Sequence, residues 1–462
     1  MKFYPYHIFR HNNTICLINT EKMTAFDINE NDVALLDFVS KNSRSTVTPE
    51  AISLLGKLDL IDKKLRKPSQ KEASSKAVPV TNIALFITQE CNLKCIYCYG
   101  DGGSYGSGGD MTRETAYRAV DWLIEQSEDV KKIGITFFGG EPLLNFTLLK
   151  RVVQYALKRS KETGKEFEFG LSTNASLLDD EKISFLKEYK IIPLVSFDGP
   201  KELQNTNRPF KDGKGSYDAS VQKIKKLLEV LPESSCRATI VGSTDPLAVD
   251  NALREIGFAT RYLSVASRSL FDDENNNHFP ERDITGMLKR AKAEALELLV
   301  AIREHNTEKL NSLKNSGVLV SRLQRFINRE RRFFPCGAGR ASVAVSCSGD
   351  IYLCHRFVGF NGQMLGNIFS GDLDREIYQI SALKFQDECS NCFAKYLCAG
   401  GCYHDNLGKT GSVFKPDENM CDLIRHTTEL AATICSRLSE GDKAYLIEKK
   451  IIAEKKCPFD LF

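Results

Sequence analysis

Three cysteines stand within the stretch ITQECNLKCIYCYG: Cys91, Cys95 and Cys98, spaced C-x3-C-x2-C. Thiolates are the ligands that zinc and iron–sulfur clusters take. A closed zinc site or a fully ligated cubane cluster wants four of them. Three thiolates hold three irons of a cubane and leave the fourth iron to a ligand from outside. A zinc ion with one open position is the alternative reading of the same spacing.

A second set begins in CGAGRASVAVSCSGDIYLCHRFVG, where Cys336 is followed after twelve residues by Gly349 and after four more by Cys354. CSNCFAKYLCAGGC then gives C-x2-C-x5-C-x3-C at Cys389, Cys392, Cys398 and Cys402, and Cys421 closes the set. Eleven of the fifteen cysteines fall in these three clusters. In an intracellular chain such clusters read as metal or iron–sulfur ligands before disulfides. Two zinc sites remain the alternative for the later cysteines. Cys16, Cys236, Cys435 and Cys457 stand alone and read as packing residues. Cys347 is extra to its set: it could be a fourth ligand, and a bystander in a hairpin is the preferred reading.

Four short motifs carry other polar groups. FFGGEPLLN holds Gly139, Gly140 and Glu141; without Cβ atoms the two glycines allow close backbone approach to a ligand. LSTNAS offers Ser172, Thr173 and Asn174, and VSFDGP offers Ser196 before an Asp198-Gly199-Pro200 turn. NRPF holds Arg208, whose guanidinium can grip a carboxylate with two hydrogen bonds. His355 and Arg356 follow Cys354 directly and could shield a cluster or make salt bridges.

These residues need a scaffold. Apolar runs NIALFIT, IGITFF, EFGLSTN, IIPLVSF, CRATIVG and TRYLSVA alternate with helical patterns such as RETAYRAVDWLIEQ, whose stripe is Ala116, Ala119, Val120, Leu123 and Ile124. Repeated strand–helix units predict an α/β fold with a parallel sheet, here a partial (β/α)6 TIM barrel over residues 81–270. Residues at the C-terminal ends of such strands bind ligands, and every polar motif above falls at such an end. Residues 1–64 predict short strands and two helices, a winged-helix unit; Thr48 is the expected N-cap of the second helix and Pro49 its first residue. Residues 65–80 read as a linker, 271–335 as a bridge of two charged helices, 336–425 as cysteine-rich and loop-like, and 426–462 as a helix and tail.

Composition narrows the class. Hydrophobic residues are 42% and charged residues 27%, ordinary for a globular protein. No apolar run is long enough to span a membrane, and MKFYPYHIFRHNN has no signal-peptide apolar core, so a cytoplasmic protein is expected. A net charge of +3 is too small to argue for nucleic acid.

The triplet, with Tyr97 before its third cysteine, resembles the signature of radical S-adenosylmethionine (SAM) enzymes. In that family the open iron chelates SAM, and reductive cleavage yields a 5′-deoxyadenosyl radical that takes hydrogen from substrate. The resemblance implies Cys91, Cys95 and Cys98 as cluster ligands with Tyr97 lying against the adenine. It implies the Gly139-Gly140-Glu141 motif at the SAM amino group, Ser172 and Asn174 at its ribose or carboxylate, Ser196 as a SAM-binding serine, and Arg208 at the carboxylate. The later cysteines resemble the SPASM domain. That pattern implies two auxiliary 4Fe–4S clusters, three clusters in all. Cys389, Cys392, Cys398 and Cys421 would ligate the second. Cys336, Cys354 and Cys402 would hold the first, whose open iron could bind a peptide thiolate.

Within that class the chain resembles RiPP maturases (enzymes of ribosomally made peptides) that form thioether crosslinks, the ranthipeptide and sactipeptide synthases. Residues 1–64 resemble a peptide recognition element that takes a precursor's leader as an added strand, with Lys63, Lys64, Arg66 and Lys67 suited to an acidic leader. The expected partners are a cysteine-rich, leader-bearing precursor peptide and an electron donor such as flavodoxin or ferredoxin, with no nucleic acid or membrane. The expected reaction joins a cysteine sulfur to an Asp or Glu side-chain carbon or to an α carbon. Alternatives are a protein maturase of the anaerobic sulfatase (formylglycine) or quinohemoprotein amine dehydrogenase type, and a DNA-binding iron–sulfur or zinc regulator.

Overall fold

The strand–helix repeats form the central layer. In the computed structural model, which describes residues 4–11, 13–41, 47–61, 77–267, 269–271 and 283–453, six parallel strands stand side by side in sequence order. An N-terminal unit precedes them: β1 (Tyr6–His11), β2 (Thr14–Asn19), β3 (Thr24–Ile28), α1 (Glu30–Lys41) and α2 (Pro49–Lys57). The repeats then run β4 (Asn82–Thr88), α3 (Arg113–Gln126), β5 (Lys132–Gly139), α4 (Phe146–Thr163), β6 (Glu166–Thr173), α5 (Asp180–Glu188), β7 (Ile192–Ser196), α6 (Lys201–Asn207), α7 (Tyr217–Val230), β8 (Ser235–Ile240), α8 (Pro246–Ile256) and β9 (Thr260–Val265).

Each strand of the repeat lies beside the one before it, so the sheet winds one way as a barrel wall does rather than reversing as in a doubly wound sheet. All six C-terminal strand ends meet at one rim. The expected stripe of α3 faces the sheet: Ala116, Ala119, Val120 and Leu123 are buried together with Trp122. Each large apolar side chain buried in this way contributes about 1.5–3 kcal/mol.

The cysteine-rich region departs from its loop-like reading. After α9 (Thr285–Arg303), α10 (Thr307–Ser316) and α11 (Leu319–Asn328) come β10 (Ser342–Val345), β11 (Asp350–Tyr352) and β12 (Met364–Asn367). β10 runs parallel to β4, pairing Val343 with Ile83 and Val345 with Leu85. The barrel wall thus extends to nine strands, in the order β12-β11-β10-β4-β5-β6-β7-β8-β9. Ser-Val-Ala-Val is short, but its buried Val343, Ala344 and Val345 fit a strand covered on both faces. A hairpin turning at Gly349, whose φ is +90°, returns the chain as β11.

Three helices bridge the two halves instead of two. His305 adopts a left-handed φ of 53° and breaks the first helix, and the Asn306 side chain then caps α10 by accepting from the Lys309 amide at 3.0 Å. α12 (Asp387–Asn391), α13 (Lys395–Cys398), α14 (Tyr403–Thr410), α15 (Glu418–Ser436) and α16 (Glu440–Glu448) follow. Cys421 therefore lies within a helix.

The N-terminal sheet is antiparallel, in the order β1-β2-β3. Side chains alternate along β2, and both faces are covered. Leu17 packs with Leu36, Leu54 and Leu55 of α1 and α2. Cys16 and Ile18 join a second core with Leu298, Leu323 and Ala431. Thr48 caps α2, accepting from the Ala51 amide at 3.2 Å, and Pro49 opens it. Cys16, Cys236 and Cys435 are buried packing residues. Lys63, Lys64, Arg66, Lys67, Cys457, most of the linker, and residues 272–282 of the bridge lie outside the described residues. No helix among the described residues is long and apolar enough to cross a membrane.

Candidate active site and cysteine-rich centres

A cavity of about 620 Å³ opens at the strand ends, within the usual ~300–1,000 Å³ for a ligand site. It is lined by Cys91, Cys95, Tyr97, Cys98, Gly139, Gly140, Glu141, Ser172, Asn174, Ser196 and Arg208. All eleven come from the motifs singled out in sequence, carried there by β4, β5, β6 and β7 or by the loops after them. The opposite wall includes Met287, Glu294, Arg322, Arg356, Asp405 and Leu423. The bridge and the cysteine-rich region thus close the barrel mouth.

The cysteine loop is pinned by its backbone. The amides of Lys94 and Ile96 donate to the carbonyls of Pro209 and Asn207 at 2.8 and 2.9 Å. The glycine pair explains the loop's close seat. A Cβ on Gly139 would lie 2.0 Å from the Thr88 carbonyl oxygen, and one on Gly140 would lie 2.2 Å from that of Glu90. The close approach is thus to the root of the cysteine loop as well as to any ligand in the cavity.

The donor set suits a cationic cluster. Burial, with the neighbouring carboxylate and thiols adding to it, pushes Cys91 up to about 12. Burial likewise pushes Cys95 to about 12, against the pull of Arg208. Thiolates here need a positive partner, which cluster iron supplies. Cys98 is also raised by burial, but its sulfur accepts from the amides of Gly100, Gly102 and Gly103, which favour its thiolate. Amide hydrogen bonds to sulfur are among the features that set cluster potentials.

Asp198 organises the floor. It is fully buried and pairs with Arg208 at 3.1 Å. It also accepts from the Tyr97 hydroxyl and from the Thr239 amide, the latter at 2.9 Å. Arg208 lies over the Tyr97 ring, 5.2 Å from its centroid. Tyr97 is thus held under an arginine and tied to Asp198, where the resemblance implies adenine contact. Buried Arg208 Nε has no hydrogen-bond partner among the described residues, which leaves a donor for a ligand carboxylate. Sequence reading took Asp198 for a turn residue; its place two residues after Ser196 at a strand end was the available signal.

Glu141 is a brace. Its carboxylate accepts from the Leu143 amide at 3.1 Å, the Thr173 hydroxyl at 2.8 Å and the Asn174 amide at 2.7 Å. Burial nevertheless pushes its pKa up to about 7. The Asn174 side chain bridges Asn92 and Ser176, so it ties the third strand end to the cysteine loop.

The later thiols lie farther along the chain. Cys389, Cys392, Cys398 and Cys421 line one small cavity of about 40 Å³. Burial, then the neighbouring thiols, pushes Cys389 to about 11. The Cys398 sulfur accepts from the amides of Gly400 and Gly401, and Arg425 donates to Cys392. Cys354 is pushed to about 12 by burial and then by Cys402, with Cys336 contributing. Among the described residues no three or more His, Cys, Asp or Glu side chains close on one metal-ion position: Cys91, Cys95 and Cys98 share the main cavity and Cys389, Cys392, Cys398 and Cys421 the small one without converging on a point. Cys347 stands apart, its thiol donating to the carbonyls of Phe86 and Gly109 at 3.1 and 3.4 Å. Arg356 joins the centres. One nitrogen donates to Asp405 at 2.9 Å and to the Cys402 sulfur at 3.6 Å, and the guanidinium lies over Tyr99 in the main cavity.

Residues 85–248 match the Radical SAM superfamily model. The radical SAM cyclopropyl synthase TigE of Paramaledivibacter caminithermalis is 23% identical over 74% of this chain and 72% of its own length. The cysteine-type anaerobic sulfatase-maturating enzyme of Clostridium perfringens (strain 13) is 24% identical over 68% of this chain and 85% of its own. A solved structure described as native anSMEcpe with bound AdoMet and Kp18Cys peptide superposes with a TM-score of 0.61 at 21% identity, covering 78% of this chain and all of that one. Residues 85–248 are a radical SAM domain, the kind of domain that works with SAM and a 4Fe–4S cluster.

Proposed function

We propose that this enzyme installs Cys sulfur-to-carbon thioether crosslinks in a ribosomally made, leader-bearing precursor peptide. The observation that carries the reading is the single cavity bounded by the Cys91, Cys95 and Cys98 loop on one side and by Arg356, itself on the Cys402 sulfur, on the other. A reacting carbon held there would lie between the Cys91, Cys95 and Cys98 loop and the Arg356 guanidinium that reaches Cys402. Cys91, Cys95 and Cys98 would hold the SAM cluster; Ser196 and the free Nε of Arg208 would receive the SAM carboxylate. Tyr97, Gly139, Gly140, Glu141, Ser172 and Asn174 would shape the rest of the SAM pocket. Cys336, Cys354 and Cys402, and separately Cys389, Cys392, Cys398 and Cys421, would hold two auxiliary clusters. When bound, these groups supply a 5′-deoxyadenosyl radical for hydrogen abstraction and an acceptor for one electron. The acceptor carbon loses a hydrogen atom, the cysteine thiol loses a proton, the sulfur–carbon bond forms, and one electron is left for that acceptor.

The leader would add along β3. Among the described residues β3 pairs only with β2. A groove of about 590 Å³ follows β3, lined by Thr24, Ala25 and Phe26 with Phe326, Arg329 and Lys443 opposite. An extended peptide can add to such an edge through its backbone. A flavodoxin or ferredoxin would supply the electrons for SAM cleavage.

Similarity to a sulfatase-maturating enzyme and to a peptide-bound solved structure favours a second reading, protein maturation to formylglycine. Mass spectrometry of cysteine-rich peptides encoded beside the gene and co-expressed with the enzyme separates them. The thioether reading predicts loss of two hydrogens per crosslink with every sulfur retained. Loss of a cysteine sulfur supports the second reading, and unchanged peptide mass with SAM turnover contradicts both.

A further inference from the structure

Among the described residues two guanidiniums at the cavity wall, those of Arg237 and Arg322, make no hydrogen bond or ion pair; Arg322 has the Glu294 carboxylate nearby, and Arg237 has no carboxylate near it. Arg208 pairs with Asp198 at 3.1 Å and Arg356 with Asp405 at 2.9 Å. Arg290 donates to the Ser316 carbonyl at 2.6 Å. Arg237 also lines the cavity, yet among the described residues its guanidinium makes no hydrogen bond or ion pair. It stands on β8, in register with Ser196 on β7 and Tyr262 on β9. Its side chain is open to the cavity but hemmed in by protein, and burial, followed by the nearby Arg356, holds its pKa below the usual arginine value.

Such a side chain invites an anion. Two guanidiniums facing one space offer a planar carboxylate more donors than a single ammonium would. The carboxylates at the cavity wall are already engaged: Glu141 by three donors, Glu294 by the Leu319 amide at 2.8 Å, and Asp405 by Arg356. The matching anion must therefore arrive with a ligand. SAM brings one carboxylate, for which Arg208 Nε stands free; a peptide substrate can bring another.

We propose that Arg237, with Arg356 beside it, binds the side-chain carboxylate of an Asp or Glu in the peptide, and so selects an acidic residue as the crosslink acceptor. A clamp on a carboxylate fixes the carbon bonded to it. The attacked carbon is then Cβ of Asp or Cγ of Glu, not an α carbon. The inference rests on the thioether reading and deepens it.

The test uses the co-expressed cysteine-rich peptide that becomes crosslinked, and its twin with Asn or Gln in place of the acidic acceptor. Tandem mass spectrometry should place the bond on the Asp or Glu side chain. The reconstituted wild-type enzyme should prefer the acid over its amide at least thirtyfold. Arg237→Gln should reduce that preference below threefold, and Arg237→Lys should keep it above tenfold. The wild-type preference is informative even if a variant folds poorly. A crosslink at a residue without a carboxylate overturns the inference while leaving the thioether reading intact. So does an unchanged preference in Arg237→Gln. If that substitution instead weakens SAM binding tenfold with the preference intact, the carboxylate is that of SAM and the inference falls. No crosslink in any pairing removes the thioether reading, and the inference with it.

Discussion

Asp198 accepts from the Tyr97 hydroxyl and the Thr239 amide and pairs with Arg208. Removing one partner of a buried ion pair strands the other charge, at a cost of about 3–5 kcal/mol. Asp198→Ala should lower stability by that amount, seen as a fall in the urea midpoint. Asp198→Ala with Arg208→Met should recover most of the loss, because no charge is left stranded; an equal loss in both variants would contradict the account. The cysteines were legible in sequence because their spacing is local and their chemistry narrow. Asp198 was not, because its partners come from the cysteine loop, the loop after α6, and β8. The same reason hid Arg237, whose isolation is visible only when the other arginines are seen with their carboxylates.

At the scale of elements, the barrel order followed from apolar runs separated by helical stripes. A hairpin around Cys347 was legible, but the pairing of β10 with β4 was not, because four residues give too short a pattern to show which strand they join. The third bridging helix escaped because its signal was a cap, Asn306, rather than a long stripe. Docking of the N-terminal unit on the cysteine-rich region was also invisible in sequence. Glu21 makes that joint: it meets Lys395 at 2.8 Å and Arg331 at 3.5 Å and accepts from the Tyr396 hydroxyl at 2.8 Å. Burial alone would raise its pKa, but Lys395, Tyr396 and Arg331 bring it below the usual glutamate value. Glu21→Gln should cost about 2 kcal/mol near neutral pH, with faster hydrogen exchange in β1–β3. A carboxylate with a lowered folded pKa stabilises above the unfolded value and loses that effect as pH falls through the folded one. The gap between variant and wild type should therefore close on acidification below the ordinary carboxylate range. A gap that widens with acid would contradict this.

Across the whole molecule, the N-terminal sheet shares a core with α9, α11 and α15, so it is built into the body rather than hung on it. Deleting residues 1–64 would remove Cys16, Ile18 and Met23 and uncover their core partners on α9, α11 and α15, which makes truncation a poor probe of leader binding. Filling the groove is the better one. Ala25→Trp should remove at least tenfold of the rate advantage of a leader-bearing peptide over its leaderless core, measured side by side; an undiminished advantage would place the leader elsewhere. The central claim is that Cys91, Cys95 and Cys98 hold a cluster of their own, separate from two others farther along the chain. Reconstituted enzyme should hold about twelve iron, four for each cubane. Replacing the three cysteines together by alanine should leave about eight and abolish reductive SAM cleavage. Cleavage that survives the triple substitution, or an iron content that does not fall by about four, would contradict the account.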